Sequence, residues 1–460
     1  MDTFDVVVIG AGPGGYPAAI RSAQLGASVA VVEKEQLGGT CLNWGCIPTK
    51  ALIAAADTFA RIKHAGSLGI RVDGATVDYA AMIGHKNKVV RQLQGGIKQL
   101  LAGNGIRQFT GTASFKDRNT IQISDGTTIA ARKVIVATGS TSAMPGFLPK
   151  HERVIESRAF LDRDTLPESM LVLGGGFIGC ELACMAAMLG VKVTIVELLE
   201  DVLLLLDADV RREVRLNMEK NLGIRVLTGK ALENITASGS GVSGFFGEET
   251  LKADLVLCSV GRRPVTEGLE LQNAGLKVNE RGFLQADDYC RTQVANIFAI
   301  GDVTGKIQLA HYATAQGITA AENAVRPTPG KHETLVPNVI FTAPEVGTAG
   351  LSESDAKKEN RAIRTGKFRF AGLGKAMAAG ETTGFVKWIA DANTDQLLGA
   401  AAVGAHATEL IAEAVTAIRA ELTTRELGRT IHAHPTFSES WMEAAHVLHG
   451  EAVHAPPKRR

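Results

Sequence analysis

The amino-acid sequence predicts an α/β protein in which one strand–helix–strand unit occurs twice and an α+β region follows. Three observations support this prediction. Glycine makes up 50 of the 460 residues, against a usual share of about 7 %, and part of the excess lies in two turns of identical spacing. Those two turns are 164 positions apart along the chain. From Leu335 onward the pattern changes to strands and helices that are typical of an antiparallel sheet.

The first unit begins with the apolar run Val6–Ile9, which is typical of a strand buried in a parallel sheet. A predicted helix follows and ends at Gly26, and the next apolar run ends at Glu33. Between strand and helix, the G-x-G-x-x-G spacing is formed by Gly10, Gly12 and Gly15. Such glycines let a pyrophosphate approach the backbone, the helix N-terminus attracts its charge, and the acid binds ribose hydroxyls.

The second unit repeats each of these positions. Its first strand, Leu171–Leu173, leads into another G-x-G-x-x-G turn, and its second strand ends at Glu197. The matching glycines are Gly174, Gly176 and Gly179. Residues 198–201 contain no arginine to receive a 2′-phosphate, so the sequence favours NAD over NADP. The alternative, two turns that serve tight packing alone, is disfavoured by the repeat.

Composition excludes several classes of partner. The 49 basic and 48 acidic side chains leave a net charge of +1, so neither nucleic acid nor an anionic membrane is an expected partner. Aliphatic runs such as Val202–Leu206 are far shorter than the roughly 20 residues that span a bilayer. Six cysteines are too few for a disulfide scaffold, and the N-terminus resembles neither a signal peptide nor a transit peptide. We therefore expect a cytoplasmic protein.

A further apolar run, Ile297–Ile300, ends at Gly301 and Asp302. A carboxylate at the end of a buried strand is well placed to bind the hydroxyl groups of a cofactor. Asp302 is therefore a candidate for binding the ribityl hydroxyls of a flavin. The alternative is an ordinary N-cap for the helix predicted after Gln308.

Two cysteines, Cys41 and Cys46, lie five positions apart at the start of a predicted helix. In a regular helix the Cα atoms of such a pair are about 8.7 Å apart, beyond the ~7 Å limit for a disulfide. A bridge therefore requires a distorted first turn, which Gly45 and Pro48 permit. Because the pair follows a flavin-type unit, it is a candidate redox dithiol, and two buried structural thiols are the alternative.

The C-terminal segment Thr430–Glu439 carries two histidines and an acid. Dithiol–disulfide exchange needs a base, and a histidine oriented by a carboxylate is the usual arrangement. His434 and Glu439 have this chemistry. His432 and His434 could instead bind a metal, but no further ligands lie at a recognisable spacing. The sequence thus favours a base dyad over a metal site.

Together these motifs resemble the flavoprotein pyridine nucleotide-disulfide oxidoreductases, and within them the dihydrolipoyl dehydrogenases. The resemblance covers residues 4–450 and is most specific in Gly39–Lys50 and His432–Glu439. It implies oxidation of dihydrolipoamide to lipoamide with NAD as acceptor, in 2-oxoacid dehydrogenase or glycine cleavage complexes. Another NAD(P)H-dependent disulfide or metal-ion reductase of the same fold is the first alternative. A flavin-binding subunit without turnover of its own is the second.

The resemblance also assigns roles to residues. Cys41 would be the interchange thiol that meets the substrate, Cys46 the charge-transfer thiol beside the flavin. Lys50 would pair with Glu181 near the flavin. The implied FAD site consists of Gly10, Gly12, Gly15, Glu33, Lys50, Asp302 and the backbone around Thr112 and Ala310. The implied NAD site consists of Gly174, Gly176, Gly179 and Glu197, with Gly261 nearby.

The implied architecture is two Rossmann-like dinucleotide-binding domains, for FAD and NAD, plus a C-terminal α+β dimer-interface domain. The FAD domain would comprise residues 1–143 and 265–334, the NAD domain 144–264 and the interface domain 335–460. In the family the base acts across the interface, which implies a homodimer. Lipoyl domains or E2 components of 2-oxoacid dehydrogenase complexes are the implied partners. Phe177 would lie over the nicotinamide pocket, where its bulk could act as a gate.

Overall fold

The computed structural model describes residues 1–326 and 328–456. Residue 327 and the last four residues of the predicted interface domain, 457–460, lie outside this part of the chain. The strands are β1 Asp2–Ile9, β2 Val29–Glu33, β3 Arg107–Thr110, β4 Ala113–Asp117, β5 Thr120–Ile123, β6 Thr128–Val136, β7 Ser140–Ser142, β8 Val154–Glu156, β9 Ser169–Leu173, β10 Lys192–Glu197, β11 Arg225–Thr228, β12 Glu233–Ser238, β13 Gly241–Phe246, β14 Glu249–Ala253, β15 Leu255–Cys258, β16 Arg262–Pro264, β17 Ile297–Ala299, β18 Asn338–Ile340, β19 Val346–Gly350, β20 Ile363–Arg369, β21 Gly384–Asp391 and β22 Leu397–Gly404. The helices are α1 Gly15–Gln24, α2 Gly39–Trp44, α3 Cys46–His64, α4 Tyr79–Gly103, α5 Ser157–Leu161, α6 Phe177–Met188, α7 Ala208–Lys220, α8 Ala310–Val325, α9 Glu353–Lys358, α10 Gly374–Ala379, α11 Ala407–Arg419, α12 Thr424–Arg429 and α13 Glu439–His449.

The first sheet is built around β1, which pairs in parallel with β2 and β6. Its last four residues, Val6–Ile9, are all apolar because both faces of the sheet are covered there: Val7 and Ile9 enter one core, Val6 and Val8 the other. β3 extends the sheet beside β2, and β17 pairs in parallel with β6. The chain leaves this sheet after β6 and returns with β17, so the second unit is inserted into the first. The boundaries at residues 143, 265 and 335 remain predictions.

The second sheet repeats the parallel arrangement, with the order β11-β10-β9-β15-β8. An antiparallel sheet of β12, β13 and β14 packs beside it. Most residues of α6 are buried, because this helix lies against its own sheet on one side and against α3 on another. A helix that is apolar all round is typical of such a position. The contact between α3 and α6 brings the cysteine segment to the second unit.

The third sheet is antiparallel, with the order β18-β19-β22-β21-β20. Its strands all lie after Leu335, in the region for which the sequence predicts an antiparallel sheet. α11 and α13 cover this sheet, and Trp388 of β21 meets Trp441 of α13 with ring centroids 4.5 Å apart. The predicted fold class, two parallel-sheet units followed by an α+β region, is confirmed. Among the described residues, no helix has both the length and the apolar character to cross a bilayer.

An ion cluster around a buried lysine joins the second unit to the third sheet. Lys387 lies in the middle of β21 with 1 % of its side chain exposed, and its Nζ donates to Asp207 and Asp209 at 2.9 Å each and to Glu353 at 2.6 Å. Burial alone would lower the pKa of Lys387, but these carboxylates raise it, so the ammonium stays charged. Because a buried charge is costly without partners, the cluster fixes the two regions to each other.

Candidate active site

At the first glycine turn, Gly10 and Gly15 leave no room for a side chain. A Cβ atom on Gly10 would lie 2.5 Å from the Ala137 carbonyl oxygen, and one on Gly15 would overlap the Gly10 carbonyl oxygen. Gly12 differs, because the nearest atom to its Cβ position is 3.8 Å away, on Gly39. The outer glycines therefore pack helix against strand, and Gly12 keeps an open cradle beside the N-terminus of α1.

The second turn reproduces this geometry. A Cβ atom on Gly174 would lie 2.6 Å from the Ser259 carbonyl oxygen, and one on Gly179 would overlap the Gly174 carbonyl oxygen. Among the described residues, no atom comes within 4 Å of the Cβ position of Gly176. Both cradles are thus open where a pyrophosphate would approach the backbone, and both fit the predicted dinucleotides.

Glu33 and Glu197 end the second strands of the two units and make matching hydrogen bonds. One carboxylate oxygen accepts from the residue after the first glycine, at 2.7 Å for Glu33 and 2.6 Å for Glu197. The other carboxylate oxygen accepts from the backbone N–H of the residue two positions after the acid itself. The distance is 2.9 Å from Glu35 N to Glu33 and 2.8 Å from Leu199 N to Glu197. Each acid is held beside its glycine turn, where its oxygens can meet ribose hydroxyls.

Asp302 lies in the short 3-10 helix Gly301–Thr304 rather than at the start of α8. The N-cap of α8 is Leu309, so the alternative interpretation of Asp302 as an ordinary cap is wrong. Its Oδ2 accepts a hydrogen bond from Ser140 Oγ at 2.5 Å, and Arg262 Nε lies 3.7 Å away. These contacts fix the carboxylate just beyond the carboxyl end of β17, a position that fits the predicted flavin site.

Three further predicted cofactor residues lie between or at the start of regular elements: Thr112 between β3 and β4, Gly261 between β15 and β16, and Ala310 at the start of α8. The Thr112 N–H donates to Ser124 Oγ at 3.1 Å. Ala310 is the first residue of α8, where backbone N–H groups have no partner inside the helix. Gly261 adopts a φ of +131°, and its Cβ position meets no atom of the described residues within 4 Å. Contacts of these three residues with a cofactor remain predictions.

The cysteine segment is interrupted at Gly45. α2 ends just before it and α3 begins at Cys46, while Gly45 itself has φ −139° and ψ −110°, far from helical values. A Cβ atom there would lie 3.0 Å from the Thr40 carbonyl oxygen. The distorted turn predicted from the spacing is therefore confirmed. Cys41 and Cys46 are free thiols in this structure.

The two thiols are not equivalent. The hydrogen bond between their side chains raises the pKa of Cys41 and lowers the pKa of Cys46. Lys50 also lowers the pKa of Cys46, and the two effects together outweigh the burial of this sulfur. Cys46 is therefore the more acidic thiol of the pair, and Cys41 the less acidic one. This division fits the predicted roles, in which Cys41 meets the substrate and Cys46 lies beside the flavin.

Lys50 and Glu181 form the ion pair that the family resemblance implies. Lys50 Nζ lies 2.8 and 3.0 Å from the two carboxylate oxygens. Glu181, on α6, is buried and also accepts a hydrogen bond from the Phe341 N–H at 2.8 Å. The ammonium lies 4.6 Å from the centre of the Phe341 ring. The pair thus joins the redox helix α3 to the helix of the second glycine turn.

His434 and Glu439 form the predicted dyad. His434 Nδ1 lies 2.9 Å from Glu439 Oε1, and the other carboxylate oxygen accepts from the Thr436 N–H at 2.8 Å. Burial alone would raise the pKa of Glu439, but these two hydrogen bonds lower it. The His434 side chain is 76 % exposed. Within the described part of one chain, no hydrogen bond or salt bridge joins His434 to Cys41 or Cys46.

His432 has a different environment. Its Nε2 lies 2.7 Å from a Glu413 carboxylate oxygen and its Nδ1 2.9 Å from the Thr430 carbonyl oxygen. Both partners only accept, so both ring nitrogens donate, and the bond to Glu413 raises the pKa of His432. In the described ranges, the candidate metal cluster consists of the carboxylates around Lys387 and contains no histidine. The sequence did not predict Glu413 as the partner of His432, because Glu413 lies on α11 and belongs to no recognisable motif.

Comparison with known proteins identifies the family. Residues 4–317 match the family described as pyridine nucleotide-disulphide oxidoreductase, and residues 336–445 match the dimerisation domain of the same family. The chain belongs to this family. Its cofactors are FAD and NAD, as the sequence predicted. The match to the dimerisation domain supports the predicted homodimer.

Individual relatives narrow the comparison. The chain is 42 % identical to a dihydrolipoyl dehydrogenase of Chlamydia pneumoniae, and the match covers 99 % of each chain. It is 41 % identical to a dihydrolipoyl dehydrogenase of Thermus scotoductus, again over 99 % of each. A solved Cu(II) complex of the HOCl-induced flavoprotein disulfide reductase RclA from Escherichia coli has a TM-score of 0.89 at 28 % identity, covering 97 % of this chain and 100 % of that one. The predicted family resemblance is confirmed.

Proposed function

We propose that this chain oxidises dihydrolipoamide to lipoamide and that NAD is the final electron acceptor. The Chlamydia and Thermus relatives, similar over nearly their whole length, are dihydrolipoyl dehydrogenases. The observation that carries the proposal is the unequal thiol pair at the break between α2 and α3, in which the pKa of Cys41 is raised and the pKa of Cys46, beside Lys50, is lowered. Such asymmetry is needed when one sulfur must attack or be attacked and the other must leave.

The chemistry starts from the Cys41–Cys46 disulfide. His434 removes a proton from one substrate thiol, and the thiolate attacks the Cys41 sulfur, so that Cys46 leaves as a thiolate. The second substrate sulfur then attacks the first, the cyclic disulfide lipoamide leaves, and Cys41 takes up a proton. Two electrons now reside on the Cys41–Cys46 dithiol. Bound FAD, held at the first glycine turn with Glu33 and Asp302, would supply the two-electron chemistry that links this dithiol to NAD.

Neighbouring residues stabilise the charged groups that form during this reaction. Glu439 accepts from His434 Nδ1, which leaves Nε2 as the basic nitrogen and favours the imidazolium that forms. Lys50 stabilises the Cys46 thiolate, because a nearby cation lowers the pKa of a thiol. Glu181 in turn holds the Lys50 ammonium in place.

The proposal includes a second copy of the chain. His434 is exposed and lies in the region that matches the dimerisation domain, and its chain does not bring it into hydrogen-bond contact with Cys41 in the described residues. The dyad of one subunit would then serve the dithiol of the other. Lipoyl domains or E2 components of 2-oxoacid dehydrogenase complexes would deliver the substrate, and the cytoplasm would be the compartment.

His434→Gln tests this function. Losing the base should lower dihydrolipoamide:NAD turnover by roughly 10²- to 10⁴-fold, while NADH still reduces the bound flavin. Steady-state assays and anaerobic flavin bleaching measure the two effects. The matched control is His85→Gln, because His85 is also an exposed histidine but lies on α4. Turnover of His434→Gln within twofold of the unchanged protein would contradict the proposal.

The same assays separate the alternatives. A disulfide or metal-ion reductase of this fold would instead turn over NADPH with glutathione disulfide, or NADH with a metal ion, faster than dihydrolipoamide with NAD. A flavin-binding subunit without its own activity would be yellow and show neither rate. Either result would replace the proposed function.

A further inference from the structure

A contact outside the known chemistry reaches the segment between the two cysteines. Trp44 is the last residue of α2, and the guanidinium carbon of Arg158 lies 3.7 Å from the centre of its ring. This distance is well inside the ~6 Å range of a cation–π contact, for which tryptophan is the best partner. Arg158 Nη1 also donates to a Glu35 carboxylate oxygen at 3.0 Å. The guanidinium is therefore oriented on two sides.

The backbone that carries Arg158 is itself fixed. Arg158 lies in the first turn of α5, where the Glu156 carboxylate caps the helix by accepting from the Arg158 N–H at 2.7 Å and the Ala159 N–H at 2.9 Å. At the other end, the buried Lys86 of α4 donates to the Leu161 carbonyl oxygen at 2.7 Å. α5 thus forms a short fixed bridge between the second sheet and the helices of the first unit.

The rest of α2 is held from a different side. Asn43 donates to the carbonyl oxygens of Leu37 at 3.0 Å and Gly39 at 2.9 Å, and accepts from Gln94 Nε2 at 2.5 Å. These bonds hold α2 from its start to Asn43. Trp44, the last residue before the break at Gly45, is held by Arg158.

Holding this end matters because α2 and α3 are not one continuous helix. Cys41 lies in α2 and Cys46 starts α3, so a rotation at Gly45 would change the distance between the two sulfurs. We propose that Arg158 is a positioning residue that, by stacking on Trp44, fixes the end of α2 and with it the position of Cys41 relative to Cys46. The inference rests on the proposed redox function of this pair. It adds a residue that belongs to neither glycine turn nor to the base dyad.

Arg158→Ala should weaken the contact between the sulfurs and thereby disfavour the Cys46 thiolate. A cation–π contact at a partly exposed site corresponds to about a 2- to 5-fold change in an equilibrium constant. We therefore expect the acid dissociation constant of Cys46 to fall by about this factor, so that the titration midpoint moves to higher pH. The readout is the long-wavelength thiolate–flavin absorbance of the two-electron-reduced holoenzyme, titrated against pH.

Two comparisons make the test specific. Arg225→Ala is the control, because Arg225 has similar exposure and forms an ion pair with Glu249 on the far side of the second sheet. A double-mutant cycle with Trp44→Leu shows whether Arg158 acts through the ring. In the Trp44→Leu background, Arg158→Ala should cause no further shift.

The outcomes are distinct. An Arg158→Ala midpoint equal to that of Arg225→Ala would overturn the inference, and so would an undiminished shift in the Trp44→Leu background, which would mean that the charge acts on the sulfur directly. If the unchanged protein showed neither the long-wavelength absorbance nor dihydrolipoamide turnover, the proposed function itself would fail. A normal signal in the unchanged protein with a shifted Arg158→Ala midpoint supports both.

Discussion

The two glycine turns share a backbone but differ in what covers them. In the first unit, α8 crosses the turn so closely that a Cβ atom on Gly14 would lie 3.0 Å from the Ala313 carbonyl oxygen, and one on Gly317 would overlap the Gly14 carbonyl oxygen. The matching position in the second unit is Ile178, which is 37 % exposed. The first turn is therefore covered by α8 at Gly14, whereas the matching side of the second turn is open to solvent, and both keep an open cradle at the middle glycine.

This difference matches the two roles of a dinucleotide in the family. A cofactor that stays with the enzyme is retained by an enclosed site, whereas a cosubstrate that leaves after each turnover needs an accessible one. The same glycine spacing therefore occurs in a site that retains its dinucleotide and in a site that exchanges it. The difference between the two is whether a helix such as α8 covers the turn. Another pair of matching positions, Pro17 and Glu181, also differs between the units. Glu181 forms an ion pair with Lys50 of α3, and proline cannot form one.

Alanine at the outer glycines should separate the two sites most strongly. Because the Cβ atom of Gly15→Ala would overlap a carbonyl oxygen of the first turn, we expect chains without bound flavin. Gly179→Ala has the equivalent overlap in the second turn, and should keep its flavin but bind NAD more than about tenfold more weakly. Flavin absorbance per chain and calorimetric NAD titration measure the two losses.

Gly84→Ala is the control for both variants, since this helical glycine of α4 has open space at its Cβ position. It should retain flavin and NAD binding. If Gly179→Ala lost its flavin as well, the two units would be coupled, and the contrast between retained and exchanging sites would not hold.

Exchanging the residues at the matching positions Gly14 and Ile178 should have a smaller effect, on protein stability. Gly14→Ile introduces a side chain against Ala313 and Ile300, and overpacking of this kind costs about 1–3 kcal/mol of unfolding free energy. Ile178→Gly creates no overlap, and it loses helix propensity and the buried part of a side chain that is 37 % exposed, so it should lower stability without disturbing the first turn. Urea denaturation followed by the release of flavin fluorescence compares them, and Gly14→Ile should release flavin at the lower urea concentration. Flavin release from Ile178→Gly at the same or a lower urea concentration would show that α8 does not cover the first turn.

The features that could be predicted from the sequence are local in the chain. Each glycine turn, its flanking strand and its acid lie within 28 residues, as in Val6–Glu33. The second copy of the motif supported the interpretation of the first as a dinucleotide-binding unit. The break at Gly45 was predictable because helix geometry forbids a disulfide at that spacing. Arg158 was not predictable, because its partner Glu35 is 123 positions away and no motif connects them. Contacts between segments so far apart in the chain depend on how the second unit packs against the first.

The smallest expected effect lies at the two acids. Each of Glu33 and Glu197 uses both carboxylate oxygens for backbone hydrogen bonds, so glutamine removes one acceptor and the charge. A typical hydrogen bond contributes about 0.5–1.5 kcal/mol, which corresponds to about a 2- to 10-fold change in affinity. Glu197→Gln should raise the KM for NAD by this factor with flavin retention unchanged, whereas Glu33→Gln should speed flavin loss with the KM for NAD unchanged. Steady-state kinetics and flavin release on dilution measure the pair. If both variants changed the KM for NAD alike, the first acid would not belong to a separate, retained cofactor, and the enclosure by α8 would need another explanation.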